Sequence, residues 1–171
     1  SEMCIRDRSI TVYSKEIELG IENFMLSLGT LLGVIDSDPK FSLMPPFIRY
    51  LSEVAFIQLG DASITGVPGE LYPEIAVGGI ENPTGADYDI APQEVPHLRS
   101  QFSDKLNLMV NLANDSIGYI IPQSEWDEDA PWIYGEKEET YGEVVSLGPN
   151  TALIIHENLV KLVEESKNNS K

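Results

Sequence analysis

Two short stretches carry residues whose types and settings suit metal-assisted chemistry. The first runs Ala62-Ser63-Ile64-Thr65-Gly66-Val67-Pro68-Gly69-Glu70. A β-rich run ends there in a Pro-Gly turn that presents a carboxylate at its tip. Proline and glycine force the turn and let backbone approach a ligand closely. Glu70 is therefore a candidate metal ligand or general base. The bland reading is a carboxylate satisfying free N–H groups at the start of a following helix. The second stretch runs Asn111-Leu112-Ala113-Asn114-Asp115-Ser116-Ile117-Gly118-Tyr119-Ile120-Ile121-Pro122. An apolar strand ends in a polar turn and a tyrosine. The Tyr119 phenol either ligates a metal or hydrogen-bonds a developing oxyanion, or it is a half-buried tyrosine with its hydroxyl in water. Side chains at the ends of buried strands are where α/β-type folds place chemistry.

Other candidates are weaker. His97 lies in a proline-rich loop and His156 in the final helix. No HxH, HExxH or CxxC spacing exists, so no self-contained zinc site is written in the chain. Ser63 and Ser146 lack a histidine pattern, and there is no GxSxG elbow or Gly-rich phosphate loop. The aromatic run Trp126, Trp132, Tyr134 and Tyr141 either lines a substrate groove or packs a long loop onto the body. Asp127, Glu128 and Asp129 read as a solvated face.

The elements that must position these residues follow from periodicity. Ile10 to Glu22 alternates as a strand. Phe24 to Ile35 is apolar with two glycines, and its period does not decide between strands and a short helix. Asp36 to Pro46 is a loop. Val54 to Leu59 and Ala62 to Val67 form two strands joined at Gly60-Asp61, a spacing that predicts an antiparallel hairpin. Leu71 to Ile80 suits a helix with Pro73 near its start. Glu81 to Ser100 is a long proline-rich loop, and loops of that length are usually functional or disordered. Lys105 to Leu112 alternates as a strand. Thr151 to Lys167 is the clearest helix, with Leu153, Ile154, Leu159, Leu162 and Val163 on one stripe. The reading is an α/β (α+β) fold, a mixed sheet with flanking helices, and a partial domain.

Bulk properties bound the function. The 171 residues suffice for one domain with a real core. A net charge of -17 argues against nucleic acid and against docking on anionic membrane. Acidic side chains collect between Glu125 and Glu143, a candidate cation-attracting rim. No apolar run reaches the roughly 18 residues of a transmembrane helix. The single cysteine, Cys4, forms no intrachain disulfide. Ser1 to Arg8 looks like translated sequencing-adaptor read-through, so residues 1–9 are set apart from the expected unit, 10–171.

The order VPGE, then Asn-Asp followed by Gly-Tyr-Ile, then Tyr141-Gly142-Glu143 before Gly148-Pro149-Asn150-Thr151 resembles the neutral/alkaline ceramidase family, over roughly Val54 to Val163. The stretch Asn114 to Leu147 looks most like the divergent bacterial members. The resemblance implies the C-terminal part of a catalytic domain that hydrolyses the amide of an N-acyl sphingosine-like lipid with one zinc ion. It implies Glu70 and Tyr119 as metal ligands and Tyr141 as a catalytic residue near the oxyanion, with two histidine ligands expected upstream of residue 10. It also implies a secreted or periplasmic enzyme whose isolated fragment is inactive. The sequence departs from the family where Leu71-Tyr72-Pro73-Glu74 replaces Phe-Thr-Thr-Met, and where Gly142-Glu143 reverses a Glu-Gly pair. The alternatives are a hydrolase of the same fold acting on another amide or ester, and a non-catalytic carbohydrate- or protein-binding module.

Overall fold

The computed structural model describes residues 10–33, 39–102, 106–138 and 140–169. The expected adaptor segment, the end of the apolar run at Val34 and Ile35, and Lys105 lie outside them. Strands β1 (Ile10–Gly20), β3 (Ile48–Leu59), β4 (Ala62–Gly66) and β6 (Leu106–Val110) form one mixed sheet in that order, with β2 (Lys40–Phe41) pairing beside β3. β1–β3 and β3–β4 are antiparallel, while β4–β6 is parallel. The expected hairpin is present, with Gly60 at φ 64° turning it. Its first strand begins earlier than expected, because Arg49 to Glu53 pairs with Glu16 to Gly20 of β1.

Helix α4 (Thr151–Asn169) covers one face of this sheet. Its Ala152, Ile155, Leu159, Leu162 and Val163 are buried with Ile17, Leu19, Val54 and Phe56 of the sheet. The Phe56 ring stacks on Phe102 at 5.8 Å between centroids. The alternation predicted for β1 and β6 is present, but Ile10 and Val12 of β1 and the apolar row Leu106, Leu108 and Val110 of β6 face outward. Val12, Ile57, Ile64 and Leu108 fall on one cross-strand row, and Ile10, Leu59, Ala62 and Leu106 on the next. Val12 and Leu108 are 62% and 55% exposed.

The ambiguous run after Glu22 is a helix, α1 (Phe24–Leu31). Asn23 caps it by accepting from the Leu26 N–H at 3.1 Å. α2 is shorter than expected, Pro73–Val77, with proline where its missing N–H costs nothing. Between α2 and β6 the described residues hold one 3-10 turn, Leu98–Gln101. Further short turns at Gln123–Glu125 and Ile133–Gly135 precede α3 (Tyr141–Val144). This is the mixed sheet with flanking helices that the periodicity predicts.

Candidate active site at the tip of a two-strand ladder

Beyond β4 the chain is stitched to the segment after β6. Val67 N–H donates to Val110 O at 2.9 Å, Ala113 N–H to Val67 O at 2.9 Å, and Ile117 N–H to Pro68 O at 3.0 Å. Asp115 fixes the intervening turn by accepting from the Tyr50 hydroxyl, the Ser52 hydroxyl and the Ser116 N–H. Two glycines allow the closest approach. A Cβ on Gly69 would lie 2.5 Å from Gly118 O. Gly118 itself sits at φ 87°, where a Cβ would lie 1.7 Å from Val145 O.

Out of this stitching come β5 (Glu70–Leu71) and β7 (Tyr119–Ile120), a separate parallel pair in which Glu70 is the register partner of Tyr119. Both residues open short strands after a turn, rather than closing long core strands as the sequence suggested. Same-row residues of paired strands put their side chains on one face. The Glu70 carboxylate accordingly lies by the Tyr119 hydroxyl, and hydrogen bonding to it, then its charge, hold the phenol above its ordinary value. The register brings together the two residues that the sequence resemblance pairs as ligands. The helix-cap reading of Glu70 is not met: the residue preceding α2 is Tyr72, and no side chain caps that helix.

Two more tyrosines complete the cluster. The Tyr119 ring meets Tyr72 edge-on at 6.2 Å and 77°, and Tyr141 edge-on at 6.1 Å and 77°. Edge-to-face geometry is the favoured arrangement of aromatic pairs. Tyr119 is thus held between two rings with its hydroxyl turned to Glu70. Tyr141 is 70% exposed and open to a ligand. The Tyr72 hydroxyl lies over Gly142, where a Cβ would stand 2.5 Å from it. Both departures from the ceramidase pattern therefore meet at one point, a phenol next to β5 against a bare backbone on α3. Burial and then the Glu143 charge push the Tyr72 phenol up to about 12.

Glu143 is a residue the sequence reading missed as a titrating group. It is 2% exposed, contacts the Thr140 hydroxyl, and burial raises it to about 7. Asp127, expected on a solvated face, is fully buried instead. Its Oδ2 accepts from the Ile133 N–H, and burial raises its carboxyl. Trp126 is core, 2% exposed, its indole N–H donating to Glu128. The two histidines are structural: His97 Nδ1 lies 3.2 Å from Ala76 O, and the buried His156 Nε2 lies 2.9 Å from Pro96 O.

The cluster offers one carboxylate and one phenol on one face. Among the described residues, no group of three or more His, Cys, Asp or Glu side chains is placed to hold a metal ion. None of the described helices is long and apolar enough to cross a membrane.

No family model and no curated protein matches this chain. Among solved structures it is similar to the neutral ceramidase of Pseudomonas aeruginosa, at 11% sequence identity and a TM-score of 0.49. The similarity covers 93% of this chain and 29% of the ceramidase chain. That is a distant structural relation, in which this chain spans under a third of the other protein.

Proposed function

We propose that the β5–β7 tip is one half of the active site of a ceramidase-like zinc amidohydrolase. The chain would be the C-terminal part of its catalytic domain, and the substrate a lipid or other amide. The observation supporting this is the Glu70–Tyr119 row: two oxygen ligands of the types named by the sequence resemblance, in register on one face. Glu70 and Tyr119 would hold the ion together with ligands from another part of the polypeptide, two histidines on the family pattern. When bound, zinc would supply an activated water and a polarised amide carbonyl. Tyr141 stands edge-on to Tyr119 and exposed, where its hydroxyl would donate to the oxyanion of the tetrahedral intermediate. Tyr72 would keep the Tyr119 ring from rotating away from Glu70.

Two ligands bind zinc weakly, so the reading is tested on metal affinity first. The chain is titrated with zinc by calorimetry, beside Glu70→Gln and Tyr119→Phe. Weak binding that each substitution abolishes supports the reading. Binding that survives both substitutions overturns it. The chain alone should not hydrolyse a ceramide analogue, and zinc-dependent turnover by it would contradict the half-site.

A further inference from the structure

We propose that a second groove, between the 81–85 segment and the 131–135 turn, binds an alkylated ammonium group such as that of choline. The open groove has a volume of about 490 Å3 and is lined by Glu81, Pro83, Thr84, Trp132, Tyr134 and Gly135 among others. It lies outside the Glu70–Tyr119–Tyr141 cluster and shares no residue with it.

Both walls are anchored from beneath. The Glu81 N–H donates to Glu125 Oε1 at 2.7 Å, and the Ser124 hydroxyl donates to Glu81 O at 2.7 Å. On the other wall the Ile133 N–H donates to Asp127 Oδ2 at 3.1 Å. Gly85 joins the two, since a Cβ there would lie 2.9 Å from Pro131 O and 3.0 Å from Trp132 O. The Glu81 carboxylate is thus carried on fixed backbone. Tyr134 reaches it across the groove, its hydroxyl donating to Glu81 Oε2 at 2.9 Å. To do so Tyr134 takes φ 55°, a left-handed conformation that an aromatic residue rarely adopts. It also stays 66% exposed. Strain held at an exposed aromatic is a mark of ligand clamps.

The chemistry of the walls selects the ligand. The Glu81 carboxylate stands at the Tyr134 hydroxyl within the groove, so the groove favours a cation. Its lining is mostly apolar, with the indole of Trp132 and the phenol of Tyr134 at its edge. A sugar would leave most of its hydroxyls without partners there, and a primary ammonium needs several acceptors for its three donors. A methylated ammonium carries diffuse charge and no N–H, and it is held by aromatic faces beside one carboxylate. The same group occurs on free choline-type molecules and on zwitterionic lipid headgroups.

The test is a titration of the 15N-labelled chain with choline chloride, read at the indole N–H resonance of Trp132. The buried Trp126 resonance reports that each variant is folded. Choline should shift Trp132 saturably. 3,3-Dimethylbutanol, its uncharged isostere, should bind about tenfold more weakly, and Glu81→Gln and Tyr134→Phe should each weaken choline about fivefold. Flotation with phosphatidylcholine vesicles, but not phosphatidylglycerol vesicles, assigns the ammonium to a headgroup. Choline binding without flotation assigns a soluble ligand. The proposal is overturned if choline gives no saturable shift, if the alcohol binds as well as choline, or if both variants bind choline as the parent does with Trp126 unmoved.

Discussion

Tyr119 is the register partner of Glu70 in the parallel β5–β7 pair, and the Glu70 carboxylate is the first cause raising its phenol. A donor and an acceptor brought together from 49 positions apart in the chain define a tip where two oxygens face the same volume.

The pair makes a titration prediction. Tyr119 is raised above its ordinary 10.0, first by the Glu70 hydrogen bond and then by the Glu70 charge. A group raised on folding favours the protonated form. Its contribution is fully present below pH 10 and is lost as pH climbs through the folded value. In Glu70→Gln the phenolate absorbance of Tyr119, assigned with Tyr119→Phe, should therefore appear at lower pH. The melting temperature should hardly move, since Glu70 caps no helix. If the absorbance stays where it was, the hydrogen bond is not the cause.

Gly118→Ala should damage the tip without touching its side chains. The substitution places a methyl group on Val145 O and forces alanine to φ 87°. Overpacking together with strain costs about 3 kcal/mol or more. Chemical denaturation should show that loss, and hydrogen exchange at the Glu70 and Tyr119 amides should accelerate.

Gly142→Ala tests the contact between Tyr72 and α3. The added methyl meets the Tyr72 hydroxyl and also the Ile121 side chain. A loss of about 1–2 kcal/mol is expected from overpacking. Tyr72→Phe on the same background should recover most of it, as the ring keeps its edge on Tyr119. A double variant no better than the single one would place the clash elsewhere.

Glu143 predicts how stability changes with pH. Burial lifts its carboxyl from 4.5 to about 7, and Glu125 and Asp127 are raised for the same first reason. Folding therefore prefers the protonated acids. The Glu143 contribution is full below about pH 4.5 and is lost between that value and about 7, on the order of 2–3 kcal/mol. Thermal melts should show a decline over that window, and Glu143→Gln should flatten it.

The sequence made the fold class legible because hydrophobic period is a local signal. β1, the β3–β4 hairpin and α4 bury one face each, and alternation or a helical stripe records that face. Glu70 and Tyr119 were legible as neighbours through Pro68-Gly69 and the Asn114-Asp115 turn. What the local signal missed depends on distant contacts. Asp127 looks solvated beside Glu128 and Asp129, yet the Ile133 N–H draws it inside. Tyr72 carries no signal of its own in sequence and gains meaning only opposite Gly142. The run after Glu22 became a helix because Asn23 caps it and donates to Val144 O, a tie to a segment 121 positions away.

The row Val12–Ile57–Ile64–Leu108 on the open face of the sheet bears on how the molecules treat one another. Apolar side chains in water attract their like at contact range, whereas the charge of -17 repels across roughly 10 Å at moderate ionic strength. Copies of the chain are thus kept apart by a force that salt weakens, above a surface whose attraction salt leaves intact. Light scattering should rise with sodium chloride at neutral pH. Replacing Leu108 with lysine on that face should restore dispersion, although it lowers the net negative charge.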